Sequence, residues 1–312
     1  MPALARQASM WSTKAMNDLL LHLELADSAH GPVFDRFFEG YEQAFTLPDE
    51  TEDRDGFADC LGLNHGKEHE RLAGQYGAFR ELCVVATDRR SGEMIGGANF
   101  IALAPASQIA PLTANLNYLY ICPSARGRGA LRTFLRSLSE LIGSMFDADT
   151  RQGVAIFIEQ NDPFRMTREA YERDSAHSGM DQFTRLKIWA RLGALVVDFP
   201  YVQPPLSRDQ KADETLVYSV LGLSGPVLAP DVLRHHLAAF FAISVLKGRD
   251  CDGVPQVGAQ LAALDSMAAN GEQIRLLDPR AFLGGLGDPD ALLQDINRPQ
   301  DLRSALAASM TS

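Results

Sequence analysis

The chain has 312 residues, of which 46% are hydrophobic and 22% charged, with 25 glycines and 16 prolines. That is the composition of a soluble globular protein, and it excludes disordered, collagenous and coiled-coil readings. The formal charge is −11, from 29 Lys and Arg against 40 Asp and Glu, so phosphate backbones are repelled and nucleic acid is not an expected partner. No apolar run reaches the roughly 18–20 residues of a membrane span, and the opening MPALARQASMWSTKAMND lacks the apolar core of a secretory signal. Cys60, Cys83, Cys122 and Cys251 show no C-x-x-C spacing, so neither a zinc knuckle nor a dithiol motif is available from neighbours. A reduced cytoplasmic protein is expected, with no metal and no membrane association.

In chain order, Leu19–Leu25 reads as a strand, and GPVFDRFFEGYEQAF as an amphipathic helix with Phe34, Phe37, Phe38, Tyr41 and Phe45 at helical spacing. FADCLGLN looks like a short second helix. Phe79–Thr87 and Met94–Leu103 form two antiparallel strands about the turn DRRSGE, in which Gly92 takes positive φ. Leu112–Cys122 is a further strand, ended by Pro123. Arg128–Phe146 is a long helix, and VAIFIE (Val154–Glu159) is a central strand buried on both faces. A polar insertion follows, then a helix over Gln182–Leu192 stopped by Gly193. Ala194–Val202 and Thr215–Leu223 are the last two strands.

After Gly225-Pro226 the composition turns to Ala and Leu with almost no strand alternation. Three parts are expected: an N-terminal segment over 1–18, a mixed α/β domain over 19–224 and an all-helical extension over 225–312. The apolar faces of the extension need a cover, either the α/β domain or a second copy of the chain in a homodimer. The short Gly225-Pro226 connection favours the first.

The chemistry concentrates in YICPSARGRGALRTFL, where a strand ends at Cys122 and the turn Arg126-Gly127-Arg128-Gly129 feeds a helix. A helix N-terminus offers free N–H groups and the positive end of its dipole, and glycines let a phosphate approach the backbone. The turn reads as a pyrophosphate cradle in an otherwise acidic chain. It lacks the G-x-G-x-x-G spacing of a Rossmann site and the Gly-Lys-Ser/Thr of a Walker loop.

Arg126-Gly127-Arg128-Gly129-Ala130-Leu131 resembles the Arg/Gln-x-x-Gly-x-Gly/Ala signature of the GCN5-related N-acetyltransferase (GNAT) superfamily, with Leu131 in place of the last small residue. The surrounding order is similar too: the hairpin ATDRRSGEMIGGANF, the strand before the turn, AIFIEQN after the helix, and RLKIWARLGALVVDFPYVQP as a second conserved block. The resemblance covers about Leu19–Leu223. It implies an α/β fold with a mixed, mostly antiparallel central sheet and flanking helices. It also implies transfer of an acetyl or other acyl group from acetyl-CoA to the amine of a small molecule or peptide, directly and without a covalent enzyme intermediate.

By the same resemblance, Tyr120, Ile121 and Cys122 offer main-chain groups to the pantetheine arm. Arg126, Gly127, Arg128, Gly129, Ala130 and Leu131 hold the pyrophosphate, and Asn161 sits beside the pantetheine. The chain departs from the family at its usual acid and base. Trp189 stands where relatives have a tyrosine, and Asn115 and Asn117 stand where relatives carry a glutamate; neither indole nor amide titrates usefully. The replacements expected are Glu159, at the end of the central strand, and Tyr171, in the insertion that also offers Asp174, His177 and Asp181. The competing structural reading pairs Glu159 with an arginine and leaves the insertion as a solvated helix. A CoA-binding regulatory or partner-binding protein without catalysis is the alternative function.

Overall fold

A computed structural model describes residues 19–47, 51–107, 110–146, 153–205, 210–251, 253–295 and 297–310. The segment over 1–18 lies outside the described residues. The first half runs β1 (Leu21–Ala26), α1 (Pro32–Ala44), α2 (Arg54–Gly62), α3 (Gly66–Tyr76), β2 (Phe79–Asp88), β3 (Met94–Leu103), β4 (Leu112–Ile121), α4 (Ala130–Met145) and β5 (Val154–Asn161). It continues through α5 (Arg168–Ser178), α6 (Gln182–Leu192), β6 (Leu195–Val197), β7 (Leu216–Leu221), β8 (Val227–Leu228) and α7 (Pro230–Phe240), which passes into a π-helical turn over Phe241–Val245. The chain ends with α8 (Pro255–Ala269), β9 (Ile274–Leu277), α9 (Arg280–Gly285), α10 (Pro289–Gln294) and α11 (Leu302–Ser309). No helix among the described residues is long and apolar enough to cross a membrane.

The strands form one sheet in the order β1-β2-β3-β4-β5-β7-β6-β9-β8. Among the described residues β4 and β5 are the parallel pair, and the other pairings are antiparallel. This is the mixed, mostly antiparallel sheet that the sequence predicts. The apolar run of β5 is buried on both faces: Ile156 and Ile158 pack with Phe134, Leu135, Leu138 and Ile142 of α4, while Ala155 and Phe157 pack with Leu233 and Leu237 of α7. Helices α4 and α7 therefore clamp the sheet from opposite sides, in the layered arrangement a doubly buried strand requires.

Helix α3 adds an element that the sequence reading does not name, since KEHERLAGQY buries only Leu72. Two sequence expectations are corrected. The strand expected over Ala194–Val202 is confined to Leu195–Val197; beyond it Phe199 N–H bonds Val197 O and Tyr201 N–H bonds Phe199 O, both at 2.8 Å, in tight turns about Asp198 and Pro200. The extension after 225 is not all-helical, since β9 pairs with β6 and β8 with β9. Four residues, Ile-Arg-Leu-Leu, are too few to stand out as alternation.

The extension docks on its own α/β domain. Leu233, Leu237, Phe240 and Phe241 share one buried cluster with Phe79, Ile101, Phe157 and Tyr218. Leu237 is 0% exposed, so Leu237→Ala is expected to destabilise the whole chain by about 2–5 kcal/mol. The check is the denaturant midpoint; a midpoint equal to that of the wild type would mean that the extension does not share the core.

Candidate active site

The site begins with a disagreement between two strands. β4 and β5 pair only from Leu112↔Val154 to Asn115↔Phe157, although β4 runs on to Ile121 and β5 to Asn161. Beyond Asn115 the two edges diverge and leave a gap in the sheet. On its other edge β4 carries a bulge: Asn99 faces Tyr118 and Phe100 faces Leu116, so Asn117 is the extra residue.

Two cavities meet in this gap. One, of about 360 Å³, lies beside the start of α4 and is bordered by Ile121, Arg126, Leu131 and Ile188; the other, of about 300 Å³, is bordered by Glu52, Cys60, Asn99, Asp213 and Ser244. Phe45, Asn117, Tyr118, Glu159, Arg185 and Trp189 border both. The two cavities adjoin across these shared residues, and Glu159 stands in the wall between them. Among the described residues no group of three or more His, Cys, Asp or Glu is arranged to hold a metal ion.

The basic turn opens the first cavity. Gly127 and Gly129 have φ of 73° and 76°, a left-handed conformation that a side chain strains, and a Cβ at either would point into open space. No side chain caps α4 at Gly129, which leaves its first-turn N–H groups unclaimed. The Arg126 side chain donates to Ile121 O at 3.2 Å and Arg128 to Ser124 O at 3.4 Å, so both fold back on the loop. Ala130 is buried under the turn, and Leu131 borders the cavity.

The strand-end residues divide. Tyr120 and Ile121 border the first cavity, but the Tyr120 hydroxyl donates to Phe37 O at 2.8 Å and its ring lies against Gly40 and Gly97, so only its main chain faces the gap. Cys122 is engaged on both sides: its N–H bonds Ile95 O and its carbonyl accepts Ala125 N–H, each at 2.9 Å. Asn161 borders the second cavity.

Two carboxylates sit in the walls. Glu159 accepts the Tyr201 hydroxyl, which is also 2.5 Å from Gln203 Oε1. Burial pushes its pKa up to about 7, against the pull of the Tyr201 bond. Glu81 is fully buried one layer behind the second cavity. Its Oε1 accepts Asn99 Nδ2 at 2.8 Å and Asn117 Nδ2 at 3.1 Å, and its Oε2 accepts Ser244 Oγ at 2.6 Å. Burial again dominates and raises its pKa to about 7. The Asn64 amide bonds the Glu81 main chain on both sides, at 2.6 and 2.9 Å, where β1 has already ended.

The amides continue the network. Asn115 Nδ2 donates to Asn117 Oδ1 at 3.0 Å, and the Tyr218 hydroxyl donates to Asn115 Oδ1 at 2.5 Å. His236 Nε2 lies 2.9 Å from that hydroxyl, and burial holds its pKa down at about 3. The imidazole is therefore neutral, and with the Tyr218 proton committed to Asn115 its Nε2–H is the donor to Tyr218.

Tyr171 is not brought to the junction. It sits on α5 with its ring 6.3 Å from Phe183 and its hydroxyl 3.4 Å from Asp181, and it borders neither cavity. Asp181 caps α6, and Asp174 pairs with Arg185 at 3.2 Å. His177 reaches Thr46 Oγ1 at 3.2 Å on the rim of the first cavity. Sequence reasoning missed Glu81 and Tyr118. Glu81 left one visible signal, a carboxylate in the middle of the apolar strand FRELCVV, where charge is costly without partners. Tyr118 borders both cavities, and burial keeps its hydroxyl protonated well above the usual tyrosine range.

No family model and no curated protein matches the chain. Solved structures do. The ribosomal-protein-S18-alanine N-acetyltransferase from Escherichia coli matches at 14% identity and TM-score 0.35 over 66% of this chain and 96% of its own. An aminoglycoside 6'-N-acetyltransferase complexed with coenzyme A matches at 16% and 0.35 over 65% of this chain and 98% of its own. Arabidopsis thaliana NAA60 in complex with acetyl-CoA matches at 12% and 0.38 over 66% of this chain and 100% of its own. At such identities the likeness says nothing about substrate. The chain's own order, a hairpin, a strand, a glycine turn, a long helix and a parallel strand that diverges from the first, is a GNAT-like fold.

Proposed function

We propose that the chain is an acyl-CoA-dependent N-acyltransferase, in which residues 19–224 hold the acyl donor and residues 225–312 complete the acceptor wall. The observation that carries this is the pair of adjoining cavities at the β4–β5 gap, with a glycine-lined helix start beside one of them and a titrating carboxylate, Glu159, in the wall they share. The donor, acetyl-CoA, enters beside α4 with its pyrophosphate on the first-turn N–H groups after Gly129. Its thioester reaches the junction along the open edge of β4, and the amine comes from the other cavity.

The amine nitrogen attacks the thioester carbonyl carbon and forms the C–N bond. Glu159 takes the proton from nitrogen, the C–S bond breaks with its electron pair going to sulfur, and Tyr118 gives its hydroxyl proton to the thiolate. Solvent then restores the Tyr118 proton and takes up the one held by Glu159, which returns both groups to their starting states. The products are an amide and a free thiol, so turnover is read directly as thiol release.

Gly129→Val places a strained, bulky residue in the cradle and is expected to weaken CoA binding at least about tenfold, the value of one charge-assisted hydrogen bond. Calorimetry checks it; unchanged affinity would refute the cradle. The base predicts a pH dependence of known sign. Because Glu159 acts as the carboxylate and its pKa is about 7, kcat should rise with pH through about 7. Glu159→Gln should lower kcat by about 10²–10⁴ and leave CoA affinity unchanged. Persistent CoA binding with no thiol release on any amine would favour a binding protein without catalysis.

Glu81 titrates in the same range and is separated by stability. A carboxyl whose folded pKa of about 7 lies above its ordinary 4.5 contributes stability that is full below about pH 4.5 and is lost as the pH rises through 7. Glu81→Gln should therefore flatten the loss of stability between about pH 5 and 8 and leave the rate profile in place. A rate midpoint that moved with Glu81→Gln would transfer the role of base to Glu81.

A further inference from the structure

The Tyr201 hydroxyl has one proton and two acceptors. Glu159 Oε1 and Gln203 Oε1 both lie at hydrogen-bond distance from it, the second at 2.5 Å. Neither a carboxylate nor an amide carbonyl brings a proton of its own. Both contacts are hydrogen bonds at once only when a further proton sits on Glu159. The geometry is therefore that of the loaded base: Glu159 donates to the Tyr201 oxygen, and Tyr201 donates to Gln203. When Glu159 is a carboxylate, the hydroxyl proton turns to it and the bond to Gln203 is given up.

Both residues are held in place by other means. Tyr201 is 2% exposed and stacks on Tyr218 at 4.4 Å, and burial keeps its hydroxyl protonated well above the usual tyrosine range. Gln203 is fixed by its main chain, which exchanges two hydrogen bonds of 2.9 Å with Asp213, and it borders the second cavity.

Resting on the acyltransferase reading, we propose that Tyr201 and Gln203 are positioning residues that serve Glu159 in both of its proton states. Tyr201 holds the carboxylate ready for the amine, and Gln203 supports the acid once the proton has been taken. No tyrosine O–H bond breaks. As the amine proton bonds to Glu159 and points at the Tyr201 oxygen, the hydroxyl rotates its own proton from Glu159 to Gln203 Oε1.

The two residues act on Glu159 with opposite sign. Tyr201 gives the carboxylate a charge-assisted bond, stronger than the neutral one it accepts from the acid, so Tyr201→Phe should raise the midpoint of the kcat–pH profile by about one unit. Gln203 supports only the acid, so Gln203→Leu should lower the midpoint by about half a unit to one unit. The other groups around Glu159 are common to all three proteins. Asp213 repels its carboxylate, and Tyr118 and Tyr218 stay protonated. Glu52 is paired with Lys247 at 2.7 Å and Arg185 with Asp174 at 3.2 Å. His177 stands on the rim of the first cavity, and Glu81 behind the second. The difference between midpoints thus reports the pair.

The test follows thiol release from acetyl-CoA by the full chain against pH, with butylamine and benzylamine as probes. In parallel the Glu159 carboxyl is titrated by NMR of protein carrying isotope-labelled glutamate, its resonance identified by its loss in Glu159→Gln. Calorimetric CoA affinity shows that each variant folds; should Tyr201→Phe fail that check, the downward shift in Gln203→Leu decides alone. Opposite shifts in the two variants uphold the proposal. Unmoved midpoints overturn it, and so does a rise in Gln203→Leu, which would put Nε2 rather than Oε1 against Tyr201. Opposite shifts by NMR without thiol release refute the acyltransferase reading and uphold the pair, whereas thiol release with unmoved midpoints refutes the pair alone.

Discussion

Four residues of parallel pairing decide this molecule. Strands β4 and β5 are joined from Asn115↔Phe157 back to Leu112↔Val154 and then part, which leaves main-chain donors and acceptors on both edges without a strand partner. Backbone groups inside a protein are otherwise paired, and an open edge at the middle of a sheet is an invitation to an extended, amide-bearing ligand. The bulge at Asn117 turns β4 further at the same level. Everything functional is arranged around that parting: α4 starts at one mouth of it, the acidic cavity forms the other, and Glu159 stands on β5 after the pairing has ended.

The polar interior beside the gap is possible only because it is nearly fully satisfied. Glu81 takes three side-chain donors, and the amides of Asn99, Asn117 and Asn115 hand their hydrogen bonds onward to Tyr218 and His236. Burying such groups without partners would cost several kcal/mol. The network also fixes a geometry, because each amide has its oxygen and nitrogen assigned by its neighbours. Tyr201 stacks on Tyr218 at 4.4 Å and carries the same order to Glu159. The amides of Asn115 and Asn117 are thus the connection between two carboxylates.

Much of this was legible in the chain. The glycine turn, the long helix and the doubly buried β5 follow from local rules that tertiary structure did not override: Gly129 at positive φ, an apolar stripe at helical spacing and a short unbroken apolar run. Glu159 stood out in the sequence because a carboxylate at the end of such a run is conspicuous. Tyr171 was misjudged because a tyrosine in a charged insertion looks available, whereas α5 turns it into a cluster with Phe164 and Phe183. Glu81 and Tyr118 lie within strands and acquire their roles from partners 18–163 residues away or from a gap between strands. Local pattern shows only a carboxylate out of place for the first and carries no trace of the second.

The π turn after α7 shows why the extension is more than a cover. In it Leu246 N–H reaches back to Phe241 O at 2.7 Å and Gly248 N–H to Ala242 O at 2.8 Å, and Lys247 takes φ of 54°. A non-glycine residue in that conformation costs about 1–3 kcal/mol, and widened turns gather where a side chain must be aimed. The contacts made there account for it. Ser244 Oγ donates to Glu81, Ser244 O accepts the Cys60 thiol at 3.4 Å, and Lys247 reaches Glu52. A regular helix would serve as well if the extension only buried apolar surface, since Leu233 and Leu237 already do that from α7. The strain is spent at the wall of the second cavity, so the last third of the chain shapes that wall as well as covering the sheet.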